Sequence, residues 1–168
     1  IDFVTEVSGA ATKKASAQGH IAAGAKRVLI GAPGADAMST FVVGVNDNEF
    51  DPKNPDQDVV SNASCTTNAI APVMKVMEKL GFVAGSLNTT HAVTNNQILL
   101  DGSNIKKPEQ GWGGFKNIIL TETGASKALK ALGKSLWAVM SGSAYRVPTM
   151  TGSIITLDFK SSKTDLTK

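Results

Sequence analysis

Apolar and polar positions fall in short blocks along the first third of the chain, each block about the length of one strand or one helix. "IDFVTEV" at residues 1–7 predicts a short buried strand closed by Ser8-Gly9. Thr12 is a candidate cap for a helix over "KKASAQGHIAAG", ended by Gly24. "KRVLIGAP" then predicts a second strand leading into the turn at Pro33-Gly34. "TFVVGVN" predicts a third strand, "DNEFDPKNPDQD" a polar surface loop, and "VVSN" a short strand that ends just before Cys65. Strands alternating with a helix of 10 to 15 residues indicate a parallel α/β sheet.

Beyond residue 65 the pattern changes. Ile70, Val73, Met74, Met77 and Leu80 have the spacing of one helical face. Pro72 lies within that run, so the helix either starts after it or is kinked there. "FVAGSLNTTHAVT" predicts a long strand, followed by the loop "GSNIKKPEQGWGG", the strand "NIILTETG" and an alanine-rich helix, "ASKALKALGK". Two further strands, "SGSAYRVPT" and "SIITLDFKSS", lead to a polar tail. Long strands with interspersed helices predict a mixed or antiparallel sheet with helices on one face. The change of style puts a boundary at the cysteine, with one part at 1–64 and a second at 65–168.

Composition narrows the function classes. The chain has 168 residues, 42% of them hydrophobic and 18% charged, an ordinary globular balance. No apolar run reaches the roughly 20 residues needed to cross a bilayer, and "IDFVTEVSG" lacks the pattern of a secretory signal. A single cysteine cannot form an internal disulfide, which suits a reducing, cytoplasmic setting. The net charge of +3 comes from scattered basic residues, and aromatics make up only 5%, so no stacking platform for nucleic acid is expected. A small phosphorylated substrate fits this charge better than a polymer.

The candidate chemistry centres on "SNASCTTNAIAP", residues 61–72, which holds the lone thiol. Ser, Thr and Asn are helix-capping residues. A cysteine at the start of a helix meets unpaired backbone N–H groups that favour the nucleophilic thiolate. A lone cysteine is more often a small buried hydrophobe, so neighbouring groups must decide. His20, among alanines and glycines, reads as a packing or surface residue. His91, closing "SLNTTHAV", is a candidate partner for the thiol, since imidazole can act as base toward it. Thr123-Gly124 opens the alanine-rich helix, where backbone N–H groups could meet a phosphate. Arg146 is one of two arginines and suits bidentate phosphate recognition. Ser64, Thr66 and Thr94 could add hydroxyl donors. No G-x-G-x-x-G, metal-ligand cluster or carboxylate pair is present, and "GWGG" reads as a flexible loop with no helix directly after it.

In order and spacing, "SNASCTTN", "HAVT", "NIIL…TGASKAL" and "AYRVPT", with "VSG", "AGAKRVLIGAP" and "FVVGVN" upstream, closely resemble the phosphorylating glyceraldehyde-3-phosphate dehydrogenase family of glycolysis. Members of that family are roughly twice as long. The resemblance therefore implies an interior fragment, inactive alone. It would comprise the C-terminal part of a Rossmann-type NAD-binding domain (1–64) and an incomplete α+β catalytic domain (65–168). It implies Cys65 as the nucleophile that forms a thioester and His91 as the base. Ser64, Thr66, Thr123, Gly124 and Arg146 would bind inorganic phosphate and substrate, and Thr94 the substrate's own phosphate. Ser8, Gly9 and Gly31 would line the NAD cofactor, and the parent would be a homotetramer acting on a triose phosphate. The turn that holds the cofactor's pyrophosphate is expected before Ile1, and the asparagine that orients its nicotinamide after Lys168.

The chain also departs from the family pattern. Ala69 stands where a second cysteine is usual, Asn96 where aspartate is common, and Gly31 where serine or threonine is more frequent. The stretch 95–117 lacks the family's arginines and offers only Lys106, Lys107 and Lys116 as cations. With no arginine and four glycines in "GSNIKKPEQGWGG", the loop is expected to be mobile alone and to pack through Trp112 and Phe115 in a tetramer. An erythrose-4-phosphate dehydrogenase, or a non-catalytic binding protein of the same fold, are the alternatives these departures leave open.

Overall fold

A computed structural model describes residues 1–36, 38–105, 107–132 and 139–166. Lys106, the end of the helix expected over "ASKALKALGK" and the last two residues lie outside the described residues. The chain divides into two compact units. The first holds residues 1–79 and takes back the helical stretch from Lys127; the second holds residues 80–126 and the strands from Met140 onward.

In the first unit β1 (Phe3–Glu6), β2 (Arg27–Ile30) and β3 (Val59–Ser61) form a sheet in the order β1-β2-β3. Both pairings are parallel, with Val4 beside Val28 and Val28 beside Val59. Helix α1 (Lys14–Ala22) makes the crossover, and Ala17 packs with Val28, Ile30, Met38 and Val59 into a core that Val4, Ile21 and Ala32 flank. The α/β reading holds, with three corrections. β1 is an edge strand whose side chains are exposed or half-buried rather than buried, Phe3 among the exposed. Thr12 does not cap α1 with its side chain. The Lys14 N–H donates instead to Asp36 Oδ2 at 2.9 Å, a cap supplied from 22 residues away. The third expected strand shrinks to one bridge, Thr40 with Ser61. There the chain turns at Gly44, whose φ of +78° suits glycine. Buried Asn46 holds that turn by accepting from the Val42 N–H and donating to the Thr40 carbonyl, both at 2.9 Å.

Helix α2 (Cys65–Lys79) begins at the cysteine and runs through Pro72, so the late start allowed for by the proline does not occur. Proline removes the N–H that would bond the Asn68 carbonyl, and the helix continues because its inner face is well packed. That face is Thr67, Ile70, Ala71, Met74 and Met77, a spacing of three and four. Val73, expected on it, is exposed. Full burial of a side chain such as Met74 contributes about 1.5–3 kcal/mol.

In the second unit β4 (Phe82–Ala92), β5 (Ile119–Thr121), β6 (Met140–Val147) and β7 (Ser153–Ser161) form a mixed sheet ordered β5-β6-β4-β7. β4 lies parallel to β6 and antiparallel to β7, and β5 is antiparallel to β6. Leu87 and Thr89 on β4, with Ile119 and Ala144, are buried. Helix α3 (Ala125–Ala131) follows β5.

Among the described residues, backbone hydrogen bonds join the two flanks of the loop. Pro108–Gly111 forms a 3-10 turn. Gly102 N–H donates to the Gly111 carbonyl at 2.8 Å, Gly113 N–H to Asp101 Oδ1 at 2.7 Å, and Gly114 N–H to the Ile98 carbonyl at 2.8 Å. A Cβ on Gly111 would sit 2.4 Å from the Gly102 carbonyl oxygen, so this backbone approach requires glycine. Trp112 and Phe115 are exposed in the chain by itself. No helix of the described residues is long and apolar enough to cross a membrane.

Candidate functional site

Three parallel strands place their C-terminal ends along one edge of the first unit, the edge where open α/β sheets bind ligands. Ser8 and Gly9 follow β1, Gly31 follows β2, and Ser64, Cys65 and Thr66 follow β3. These six sequence candidates are therefore brought to the same edge by the sheet register.

The thiol is set by the turn between β3 and α2. Ser64 is the N-cap: its Oγ accepts from the Thr67 N–H at 3.1 Å and lies 2.8 Å from Thr67 Oγ1. Thr67 is fully buried, so the cap is fastened to the core. Asn68 donates through Nδ2 to the carbonyls of Asn62 at 2.7 Å and Ser64 at 2.9 Å, closing the turn from its other side. Ala63 adopts φ +58°, a left-handed conformation that costs a non-glycine residue about 1–2 kcal/mol. The Ala63 N–H is held by Ser61 Oγ at 3.0 Å, and Ser61 in turn donates to the Ala32 carbonyl at 2.7 Å. Together these bonds leave Cys65 exposed at the first turn of α2, with its sulfur 3.9 Å from Thr66 Oγ1. Sequence reading picked out Ser64 and Thr66 but missed the work of Asn62, Ala63, Thr67 and Asn68. The four-residue spacing of Ser64 and Asn68, one helical turn, was the available signal.

On the same edge Ser8 is held by Glu6. The Ser8 N–H and hydroxyl both donate to Glu6 Oε1, at 2.7 and 2.5 Å. His20, read from sequence as a packing or surface residue, contacts Glu6 Oε2 at 3.1 Å. The Ser8 hydroxyl, the Ser8 N–H and then the His20 ring hold the Glu6 carboxyl below its ordinary range. Gly9 has open space where a Cβ would be, whereas a Cβ on Gly31 would meet Val7 Cγ1 at 2.8 Å. A larger residue there would have to displace the exposed Val7 side chain. Within this chain no glycine-rich turn opens α1 to receive a pyrophosphate.

In the second unit the parallel register sets His91 on β4 beside Arg146 on β6. Arg146 Nη1 donates to His91 Nδ1 at 2.7 Å and to the Ala92 carbonyl at 3.1 Å. That carbonyl is also 2.7 Å from His91 Nδ1. Sequence reading singled out both residues but not their contact, which only strand register could reveal. Thr94 follows β4, and its hydroxyl is hydrogen-bonded to Asn96 Oδ1. Its backbone N–H donates to Gln97 Oε1 at 3.1 Å. Thr94 lines a cavity of about 420 Å³ with Asn95, Gln97, Ile98, Phe115 and Met150. Thr123 and Gly124 follow β5, just past Thr121, which pairs with Ala144. Thr123 Oγ1 accepts from the Ala125 N–H at 3.2 Å and caps α3. Cys65 belongs to the first unit, and His91, Thr94, Thr123, Gly124 and Arg146 to the second. Among the described residues no group of three or more His, Cys, Asp or Glu could hold a metal ion.

Comparison with known proteins places this geometry in context. Residues 64–167 match the family model described as glyceraldehyde 3-phosphate dehydrogenase, C-terminal domain. The chain is 44% identical over 97% of its length to glyceraldehyde-3-phosphate dehydrogenase of Chlamydia pneumoniae, covering 48% of that protein. It is 47% identical over 91% of its length to glyceraldehyde-3-phosphate dehydrogenase of Streptomyces coelicolor, covering 45%. With the chloroplastic glyceraldehyde-3-phosphate dehydrogenase A of Zea mays it shares 42% identity over 99% of its length, covering 40%. The chain thus spans about half the length, or less, of these curated relatives.

Proposed function

Because the chain belongs to the glyceraldehyde 3-phosphate dehydrogenase family, we propose that it carries the thiol chemistry of a phosphorylating aldehyde dehydrogenase. In this reading glyceraldehyde 3-phosphate and inorganic phosphate are converted to 1,3-bisphosphoglycerate. The observation that carries it is the exposed Cys65 at the first turn of α2, fixed by the Ser64 cap and the Asn68 clasp.

The Cys65 thiolate adds to the aldehyde carbon and the carbonyl oxygen becomes an alkoxide, which the Cys65 backbone N–H stabilises. His91 protonates and deprotonates that oxygen as the thiohemiacetal is oxidised to a thioester. NAD, when bound along Ser8, Gly9 and Gly31, supplies the hydride acceptor. A phosphate oxygen then attacks the thioester carbon, and the Cys65 sulfur leaves as thiolate. Ser64, Thr66, Thr123, Gly124 and Arg146 are the residues we assign to the attacking phosphate and the substrate. Thr94 is assigned to the substrate's own phosphate, and its cavity of about 420 Å³ has the size of a small-molecule site. The functional division we propose is a cofactor part at 1–64 and a catalytic part from 65, supported by the family match that begins at residue 64. A homotetramer and a cytoplasmic setting complete the reading. The exposed Leu99, Leu100, Ile105 and Trp112 of the glycine-rich loop offer apolar area for a subunit contact.

The test is Cys65→Ser in the intact protein, assayed for reduction of NAD with triose phosphate and inorganic phosphate. A serine hydroxyl is far less acidic and forms no thioester, so activity should vanish. A serine variant retaining a tenth of the activity or more would exclude this mechanism. Running the same assay with a tetrose phosphate separates the two sugar substrates.

A further inference from the structure

We propose that Arg146 is a positioning residue for His91, fixing which of the two ring nitrogens carries the proton. The inference draws on the reading above only in giving His91 a catalytic role. A guanidinium can only donate hydrogen bonds. With Arg146 Nη1 at 2.7 Å, His91 Nδ1 must supply a lone pair to accept one. A neutral imidazole then bears its proton on Nε2.

The Ala92 carbonyl makes this a choice between two arrangements. It lies 2.7 Å from Nδ1 and 3.1 Å from Nη1. If Nδ1 bore the proton it would donate to that carbonyl, and the same nitrogen would confront an Arg146 N–H, donor against donor. The Nη1 atom has two N–H groups. One directed to Nδ1 and the other to the Ala92 carbonyl gives both acceptors a donor, and the cationic guanidinium between them offsets the repulsion of two lone pairs held 2.7 Å apart. Arg146 is kept in place by register, since Arg146 and His91 are paired neighbours on parallel strands.

The arrangement has a chemical consequence. While Arg146 engages Nδ1, His91 offers an N–H at Nε2 and acts there as a hydrogen-bond donor. When an oxyanion draws the guanidinium away, the ring proton can move to Nδ1 and donate to the Ala92 carbonyl. Nε2 then becomes the basic nitrogen. Anion capture by Arg146 would thereby switch His91 from donor to base at Nε2.

The tautomer can be read directly, without any activity assay. The full chain, labelled with ¹⁵N-histidine, is studied by long-range ¹H–¹⁵N correlation at about pH 9, where an ordinary imidazole is neutral. The variant His20→Asn distinguishes the two rings. Wild-type His91 should show an unprotonated Nδ1 and a protonated Nε2. Arg146→Ala should reverse the dominant form, and Arg146→Lys, which keeps a cationic donor, should restore at least part of it. Inorganic phosphate added to the wild type should move the populations in the same direction as Arg146→Ala. A wild-type ring protonated on Nδ1 would overturn the proposal even if no variant folded. So would an Arg146→Ala ring that kept its proton on Nε2. Loss of the Cys65 chemistry would leave the tautomer result standing, so the two readings fail separately.

Discussion

Replacing Ser64 by alanine probes how the turn that carries Cys65 is fastened to the core. The substitution removes the acceptor of the Thr67 N–H, 3.1 Å away, and the neighbour of the Thr67 hydroxyl, 2.8 Å away. Loss of a serine N-cap costs about 1 kcal/mol. Thr67 is fully buried, so its hydroxyl would lose its partner out of reach of water, at a cost of about 1–3 kcal/mol. Ser64→Ala should therefore destabilise the unit that carries α2 by about 2–4 kcal/mol. The partition can be checked in a double-mutant cycle with Thr67→Val, which deletes the buried hydroxyl at nearly constant volume. In that background only the cap remains to be lost, and Ser64→Ala should cost about 1 kcal/mol. Urea unfolding of the four proteins, followed by far-ultraviolet circular dichroism, gives the free energies. An equal cost for Ser64→Ala in both backgrounds would refute the coupling. A cost below about 0.5 kcal/mol would refute the cap itself.

Three further outcomes are expected. Gly111→Ala places a Cβ against the Gly102 carbonyl oxygen and should destabilise the loop by about 1–3 kcal/mol, seen as faster proteolysis between residues 98 and 114. Gly19→Ala, in the middle of α1 with nothing near its Cβ, should instead stabilise by about 0.5–1 kcal/mol, and a matching loss at both sites would refute the steric account. Glu6 has its carboxyl lowered by Ser8 and His20. Its contribution is therefore present above the ordinary carboxylate range and lost as pH falls through the depressed value. Thermal melts from neutral to acid pH should show that loss in the wild type and a smaller one in Glu6→Gln; parallel profiles would contradict it.

The sequence by itself determined the elements that rest on local patterning. The parallel strands around α1, the helix that begins at Cys65 and the long strand ending near His91 follow from hydrophobic period and turn residues. It also determined the cap that precedes an exposed thiol, because Ser64, Cys65 and Thr66 are contiguous and the cap is local. Tertiary structure decided what depends on partners distant in the chain. Asp36 replaced Thr12 as the cap of α1, since a carboxylate 22 residues away reached the free N–H. The apolar run "TFVVGVN" did not extend as a strand, because Gly44 turns the chain and Asn46 bonds the backbone of Thr40 and Val42. Val73 was left outside while Thr67 and Ala71 were buried, as the helix rotated to the face its surroundings could cover. The backbone bonds of the glycine-rich loop, Gly102 to Gly111 and Gly114 to Ile98, join residues whose approach composition does not reveal. His91 and Arg146 stand 55 residues apart in the chain and meet only through the register of β4 and β6. Strand register is fixed by packing across the whole sheet, so this contact could not be deduced from either residue's neighbours.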